Sequence, residues 1–249
     1  MRYLSHATPV ASLSTKVEDL NTLCDNDNMA STLNNAPEQK QEFRDLFLEN
    51  GALLTYRKGE FIIRPGETPS GIFYIESGLV KAYDITKYGE ENMLIIRRPE
   101  EVFPLIWAVT GQERSVIYEA LVPTTVRLIS RKAFRSFVDN NPGALAILLD
   151  MAIEMYRVHS ERILNLGHRN VRERLVSFLI STAGRFGKSQ ADGSILLDVP
   201  LRHQDIGSSI SASRESIGRE IQALEKRGLV SSRDGYIVLH DIQALHDFL

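Results

Sequence analysis

The segment Leu201-Arg-His-Gln-Asp-Ile-Gly-Ser-Ser-Ile-Ser-Ala-Ser-Arg-Glu-Ser-Ile-Gly-Arg-Glu-Ile-Gln-Ala-Leu224 decides the reading of this chain. Ile206, Ile210, Ile217, Ile221 and Leu224 recur at helical spacing and can share one small core, with a break between the second and third where the chain turns. Two short helices are expected, one over 203–209 and one over 214–226, the second capped at its N-terminus by Ser213. Downstream, Val230-Ser-Ser232 and Tyr236-Ile-Val-Leu239 read as strands joined across Arg233-Asp-Gly235, and an Asp-Gly pair between apolar runs is a strong hairpin signal. Helix, turn, helix and hairpin together describe a winged helix-turn-helix.

The polar side of that unit suits DNA. Arg214, Glu215 and Arg219 project from the first turns of the second helix, where base edges are read. An Arg fork matches guanine O6 and N7, and a carboxylate accepts from cytosine N4. Ser208, Ser211 and Ser213 suit phosphate contacts, and His203 at the start of the first helix completes the expected DNA-contacting set. The competing reading is a solvated charged face on an ordinary helix.

Upstream, the period changes twice. Leu145, Leu148, Ala152, Met155, His159, Ile163 and Leu166 fall at steps of three or four, predicting one long amphipathic helix over 142–167. Ile147, Leu149, Ile153, Tyr156 and Val158 widen its apolar surface beyond one stripe, so the helix is expected to cover its own domain and also to meet a second copy. The interface is expected at Leu148, Ala152, Met155, His159, Ile163 and Leu166. Before it, from Leu53 to Ser130, lie short β-rich runs such as Ile72-Phe-Tyr-Ile75 and Met93-Leu-Ile-Ile96, separated by Gly59, Gly66, Gly71, Gly78 and Gly89. That spacing means an all-β sandwich or barrel. Residues 187–193 read as a polar loop, and 1–38, rich in Ser, Thr, Asn and Asp, as a disordered leader in which Met1 and Met29 are alternative starts.

Composition narrows the function. No apolar run approaches the roughly 18 residues of a membrane span and no signal peptide is legible, which places the expected protein in the cytoplasm with no membrane partner. The single cysteine, Cys24, can neither close an internal disulfide nor hold an iron-sulfur cluster, and no ligand set at metal spacing occurs, so no metal is expected. No nucleophile motif or phosphate-cradling loop points to an enzyme. From residue 168 onward 11 Lys and Arg face 10 Asp and Glu, leaving 18 against 22 before it, so the overall charge of -3 tilts slightly positive toward the helix-turn-helix.

Gln204-Asp-Ile-Gly and Ser213-Arg-Glu-Ser-Ile-Gly-Arg219 closely resemble the helix-turn-helix of the Crp/Fnr family of transcription regulators. So do Gly59-Glu-Phe-Ile-Ile-Arg-Pro-Gly66, Phe73-Tyr-Ile-Glu-Ser-Gly-Leu-Val-Lys81 and Val158-His-Ser-Glu-Arg-Ile-Leu-Asn-Leu166, and the likeness spans residues 53–239. The resemblance implies an α+β chain: a cyclic-nucleotide-binding-like β-roll over 39–141, a dimerisation helix over 142–167 and a winged helix-turn-helix over 168–249. It implies a homodimer on double-stranded DNA with a palindromic TGTGA-like operator, and contact with RNA polymerase.

The family's sensing pocket is only half kept. Gly111-Gln-Glu-Arg-Ser115 resembles the stretch that holds a cyclic phosphate, with Arg114 and Ser115 as the anion-binding pair. Counting back, the ribose-binding Gly-Glu falls on Phe103 and Pro104, which supply neither a flexible backbone nor a carboxylate, and the adenine-contacting Thr-Ser becomes His159-Ser160. Arg114, Ser115, Phe103, Trp107, His159 and Ser160 are the six residues of the expected effector pocket. Cyclic AMP is therefore a doubtful ligand, and three readings stay open: another effector or none, a cyclic-AMP-responsive regulator, and a regulatory module acting by protein contact.

Overall fold

The computed structural model describes residues 37–249, so the leader expected over 1–38 lies almost wholly outside the described residues. Its last two residues open a helix, α1 (Pro37–Asn50), that the polar sequence did not announce. This helix is held by two side chains one turn apart, Phe43 and Phe47, which meet Tyr74 and Phe134 in a cluster of rings.

The first domain is an antiparallel β-roll of eight strands: β1 (Ala52–Tyr56), β2 (Phe61–Ile63), β3 (Ile72–Ser77), β4 (Val80–Ile85), β5 (Glu91–Arg97), β6 (Val102–Phe103), β7 (Ile117–Ala120) and β8 (Thr124–Ile129). They form two four-stranded sheets, ordered β1-β8-β3-β6 and β2-β7-β4-β5. Strand β3 shows why its sequence is apolar without a break. Phe73 and Ile75 point between the sheets onto Val80, Ala82, Phe103 and Tyr118, while Ile72 and Tyr74 point outward. That outer face is covered by α1, by α3 (Arg131–Asn140) and by the start of the long helix, so both faces are buried. Two glycines carry turns for different reasons: Gly78 sits at φ +90° before β4, whereas at Gly71 a Cβ would collide with the Ile129 carbonyl. A short helix, α2 (Leu105–Thr110), follows β6.

The long helix α4 runs over Pro142–His168 with proline in its first turn, close to its expected span. It is followed by α5 (Val171–Phe186), opened by a capping box in which the Asn170 side chain accepts from Glu173 N–H and the Glu173 carboxylate accepts from Asn170 N–H. The second domain continues with β9 (Gly187–Ser189), β10 (Ile195–Leu197), α6 (His203–Ile210), α7 (Arg214–Lys226), β11 (Val230–Arg233), β12 (Tyr236–Leu239) and α8 (Ile242–His246). The wing turn is as the sequence demanded, with Asp234 at φ +54° and Gly235 at φ +84°. The stretch expected as a polar loop over 187–193 instead begins with strand β9, paired with β10, so the wing sheet has four strands ordered β11-β12-β10-β9. Strand β9 was missed because Gly-Lys-Ser lacks the apolar alternation that marks a strand; its partner supplies the order.

The domains are clamped together. Helix α6 packs on β5, and between them Lys81 of β4, 1% exposed, places its ammonium 3.0 Å from Glu91, 3.7 Å from Glu119 and 3.8 Å from Asp205 of α6. Burial alone would raise the Asp205 pKa. The two hydrogen bonds from the Arg202 guanidinium, its backbone N–H and charge, and then the charge of Lys81 outweigh that burial and hold the carboxyl below its ordinary value. A second clamp joins Arg185 of α5 to Glu101 of the β-roll and Glu154 of α4, both at 3.2 Å.

Candidate DNA interface and ligand pocket

The helix-turn-helix owes its tightness to its small residues. Helix α6 ends at Ser211 in the left-handed conformation, at φ +54°, and Ala212 N–H donates to the Gly207 carbonyl at 3.0 Å. A Cβ at Gly207 would press on the Ala212 carbonyl, so the close turn needs glycine there. Ser213 caps α7 by accepting from Ser216 N–H at 3.2 Å. Ile206, Ile217, Ile221 and Leu224 are buried beneath. As expected from their spacing, this core turns Arg214, Glu215 and Arg219 to the outer, exposed face of α7.

The electrostatics of that face suit base readout. Glu215 lies in the first turn of α7, where its own backbone N–H and then the Ser213 hydroxyl hold its carboxyl below the ordinary range, so it is an acceptor at neutral pH. Arg219 is steadied by a 3.2 Å hydrogen bond to the Ser216 hydroxyl. Ser211 and Ser213 are exposed beside them, and His203 is half-buried against Gly218. Ser208 lies apart from this group. Its hydroxyl donates to the Asp205 carbonyl and its own carbonyl accepts from Arg162 of α4, so it faces the first domain and drops out of the DNA-contacting set.

A cavity of about 60 Å³ opens between the β-roll and α4. Its walls bring together Arg97, Arg114, Trp107, Tyr118, Met155 and His159. Arg97 is buried, bonds Glu101 at 3.2 Å and the Met155 sulfur at 3.5 Å, and leaves its Nε without a hydrogen-bond partner. Arg114 lines the cavity and makes no ion pair among the described residues. Burial, and then the charges of Arg162, Arg97 and Arg114, push the His159 pKa below its ordinary value, leaving it neutral at pH 7. The cavity is cationic and apolar at once.

Three of the six expected pocket residues are elsewhere. Phe103 is fully buried, stacked between Phe73 at 5.2 Å and Tyr118 at 4.8 Å, because β6 pairs with β3 and turns this ring into the sandwich. It is core, not pocket wall. Ser115 is exposed outside the cavity, and the Ser160 hydroxyl donates to the Arg157 carbonyl of its own helix at 3.0 Å. Arg97 was missed from sequence because it ends an apolar strand without any motif around it.

The expected partner-facing residues of α4 also separate. Leu148 is buried with Phe43, Phe47 and Phe134 in its own domain, and Met155 and His159 line the cavity. Ala152 is half-buried, while Ile163 and Leu166 are exposed. The open surface is a different stripe: Leu145, Leu149, Ile153, Tyr156, Ile163 and Leu164, with Tyr156 73% exposed and Ile163 69%. At 100° per residue these six fall within about one third of the helix circumference.

Comparison with known proteins agrees with this architecture. Residues 53–141 match the family described as the cyclic nucleotide-binding domain, and residues 173–248 match the Crp-like helix-turn-helix domain. The global nitrogen regulator of Synechocystis is 30% identical over 198 residues, covering 77% of this chain and 85% of that protein. The chain belongs to the Crp/Fnr family of transcription regulators. Another member, the cAMP-activated global transcriptional regulator CRP of Salmonella typhimurium, is 28% identical over 196 residues, covering 78% of this chain and 92% of that protein. The solved structure of FixK2 from Bradyrhizobium japonicum superposes with a TM-score of 0.69 at 25% identity, covering 79% of this chain and 96% of that one. As a family member the chain is a DNA-binding regulator and not an enzyme, and none of its described helices is long and apolar enough to cross a membrane.

Proposed function

We propose that this Crp/Fnr regulator works in the cytoplasm as a homodimer, joined along the exposed stripe of α4, and recruits or blocks RNA polymerase at a palindromic, TGTGA-like operator. The stripe supports the dimer: six aliphatic and aromatic side chains on one face, each worth roughly 1.5–3 kcal/mol when buried, can offset much of the cost of association. Arg214, Glu215 and Arg219 support the operator, since two such helices in a two-fold dimer would enter successive major grooves about 34–36 Å apart.

Its β-roll pocket takes a small anion other than cyclic AMP. The observation that carries this is the cavity itself, where Arg97 and Arg114 offer positive charge in about 60 Å³, well under the roughly 150 Å³ that encloses a benzene. A purine nucleotide needs far more room. Buried Phe103 and Pro104 leave no flexible backbone or carboxylate at the ribose position, and an unpartnered buried hydroxyl would cost a nucleotide about 1–3 kcal/mol.

Calorimetry with cyclic AMP, alongside mobility shifts on a TGTGA palindrome, tests both halves. The expected outcome is a specific shift on the palindrome with no micromolar cyclic-AMP binding. Tight cyclic-AMP binding that Arg114→Ala abolishes would overturn the effector reading, and equal affinity for a scrambled probe would overturn the operator.

A further inference from the structure

A second cavity, of about 90 Å³, lies where the two domains meet. It is bounded by β5, the distal half of α4, the inner face of α5 and the end of α6. Leu94, Phe178 and Ile210 give it apolar walls, and Arg162 and Arg174 give it charge.

Neither guanidinium makes an ion pair among the described residues, although the charge of Asp84 acts on Arg162. Arg162 donates to the Met93 carbonyl at 2.8 Å, to the Asn92 side-chain oxygen and to the Ser208 carbonyl, all uncharged acceptors. Arg174 has a buried Nε with no hydrogen-bond partner and makes no ion pair among the described residues. The other charges of the cleft are matched locally. Glu161 accepts from Arg157 at 2.7 Å and from Ser181 at 2.8 Å, and Arg185 meets Glu101 and Glu154. Ser177 accepts from the Asn165 amide at 2.8 Å, which leaves its own proton free to donate into the cleft.

We propose that this cleft is a second small-molecule site, separate from the β-roll pocket, which binds a small organic carboxylate. Its charge rests between Arg162 and Arg174 with a hydrogen bond from Ser177, and its short apolar chain packs on Leu94, Phe178 and Ile210. Two cations without ion pairs in a partly desolvated space, only one of them offset by a nearby carboxylate, favour an anion, since charge-assisted hydrogen bonds are about twice as strong as neutral ones. The apolar walls favour a carbon chain over a bare inorganic ion. Size limits that chain: a cavity of roughly 150 Å³ encloses the six carbons of benzene, so 90 Å³ suits a chain of about three carbons, with the carboxylate beyond it toward the open mouth.

Dimerisation leaves the site open. Val158, Arg162 and Asn165 point to the opposite side of α4 from Ile153, Tyr156 and Ile163, as 100° per residue requires. A ligand here would touch elements of both domains, so its binding free energy would favour the arrangement in which they are clamped.

The test uses the full-length protein and three probes: butyrate, its uncharged isostere butyramide, and inorganic phosphate, followed by calorimetry and ligand-observed NMR. Butyrate is expected to bind at millimolar concentration or tighter, with butyramide and phosphate each at least tenfold weaker. Arg174→Gln should weaken butyrate at least tenfold while Arg114→Ala leaves it unchanged. Because loss of Arg174 could disturb α5, Ser177→Leu, which fills the cleft, serves as a second variant and should also abolish binding. No butyrate binding, phosphate or butyramide binding as well as butyrate, or loss of binding in Arg114→Ala rather than in the two cleft variants would each overturn the proposal.

Discussion

Replacing Lys81 by Met should unfasten the two domains. Lys81 is the buried cation among three carboxylates, Glu91, Glu119 and Asp205, the last of which also pairs with the exposed Arg202, and its ammonium lies 4.3 Å from the centre of the Tyr83 ring. Methionine preserves most of the packing volume but removes the charge, leaving the acids to repel one another across β4, β5, β7 and α6. Removing one partner of a buried pair costs about 3–5 kcal/mol, whereas exposed pairs such as Arg64–Glu67 are worth about 0–1 kcal/mol. Glu91 and Glu119 keep some contact with water, which puts the expected cost near the lower bound, about 3 kcal/mol. For a chain of this length that corresponds to a fall in Tm of roughly 6–12 °C, read by calorimetry or circular dichroism. Asp205→Asn in the same molecule should return part of the loss, because it removes one of the stranded charges. If Lys81→Met moves Tm by less than about 2 °C, or if the two substitutions are simply additive, the buried ammonium is not what joins the domains.

Other outcomes follow from the same geometry. Arg219→Ala should cost about 1–3 kcal/mol of operator affinity and relax preference at a single guanine in a randomised-site selection; an equal loss on all sequences would mean a phosphate contact instead. Tyr156→Glu with Ile163→Lys should give monomers by light scattering and leave the melting of the β-roll unchanged, since both side chains are exposed. The His159 pKa lies below 6.5 in the folded chain, so the unfolded chain takes up a proton first as the pH falls. Stability should therefore drop as pH falls from about 6.5 through the lower folded value, and His159→Phe should flatten that part of the curve in urea titrations at stepped pH.

What could be read from sequence was whatever is fixed by local spacing. The helix-turn-helix announces itself because Ile206, Ile217 and Leu224, the Ser213 cap and the Asp234-Gly235 turn each obey a short-range rule, and all agree. The span of α4 was legible for the same reason. Its faces were not, since apolar residues surround the helix and only the packing partners decide that Leu148 points inward and Leu149 outward. Phe103 was placed in the pocket by counting along the chain from Arg114, whereas the pairing of β6 with β3 buries it in the sandwich. Arg97, Arg162 and Lys81 carry no motif. Their roles come from neighbours up to 124 positions away in the chain, in the case of Lys81 and Asp205, and spacing contains no trace of those.

Asp205 also limits how far the two halves of this regulator can be exchanged. One carboxylate both closes the capping box of α6, by accepting from the Arg202 N–H at 3.0 Å, and faces the Lys81 ammonium of the sensing domain. A chimera that grafts this helix-turn-helix onto a β-roll lacking a buried amine at that point would leave Asp205 to Arg202 alone, without the ammonium that meets its inner side. Restoring the graft by neutralising Asp205 would weaken the start of α6. The two domains are distinct in sequence and in topology, yet through this side chain they vary as a single unit.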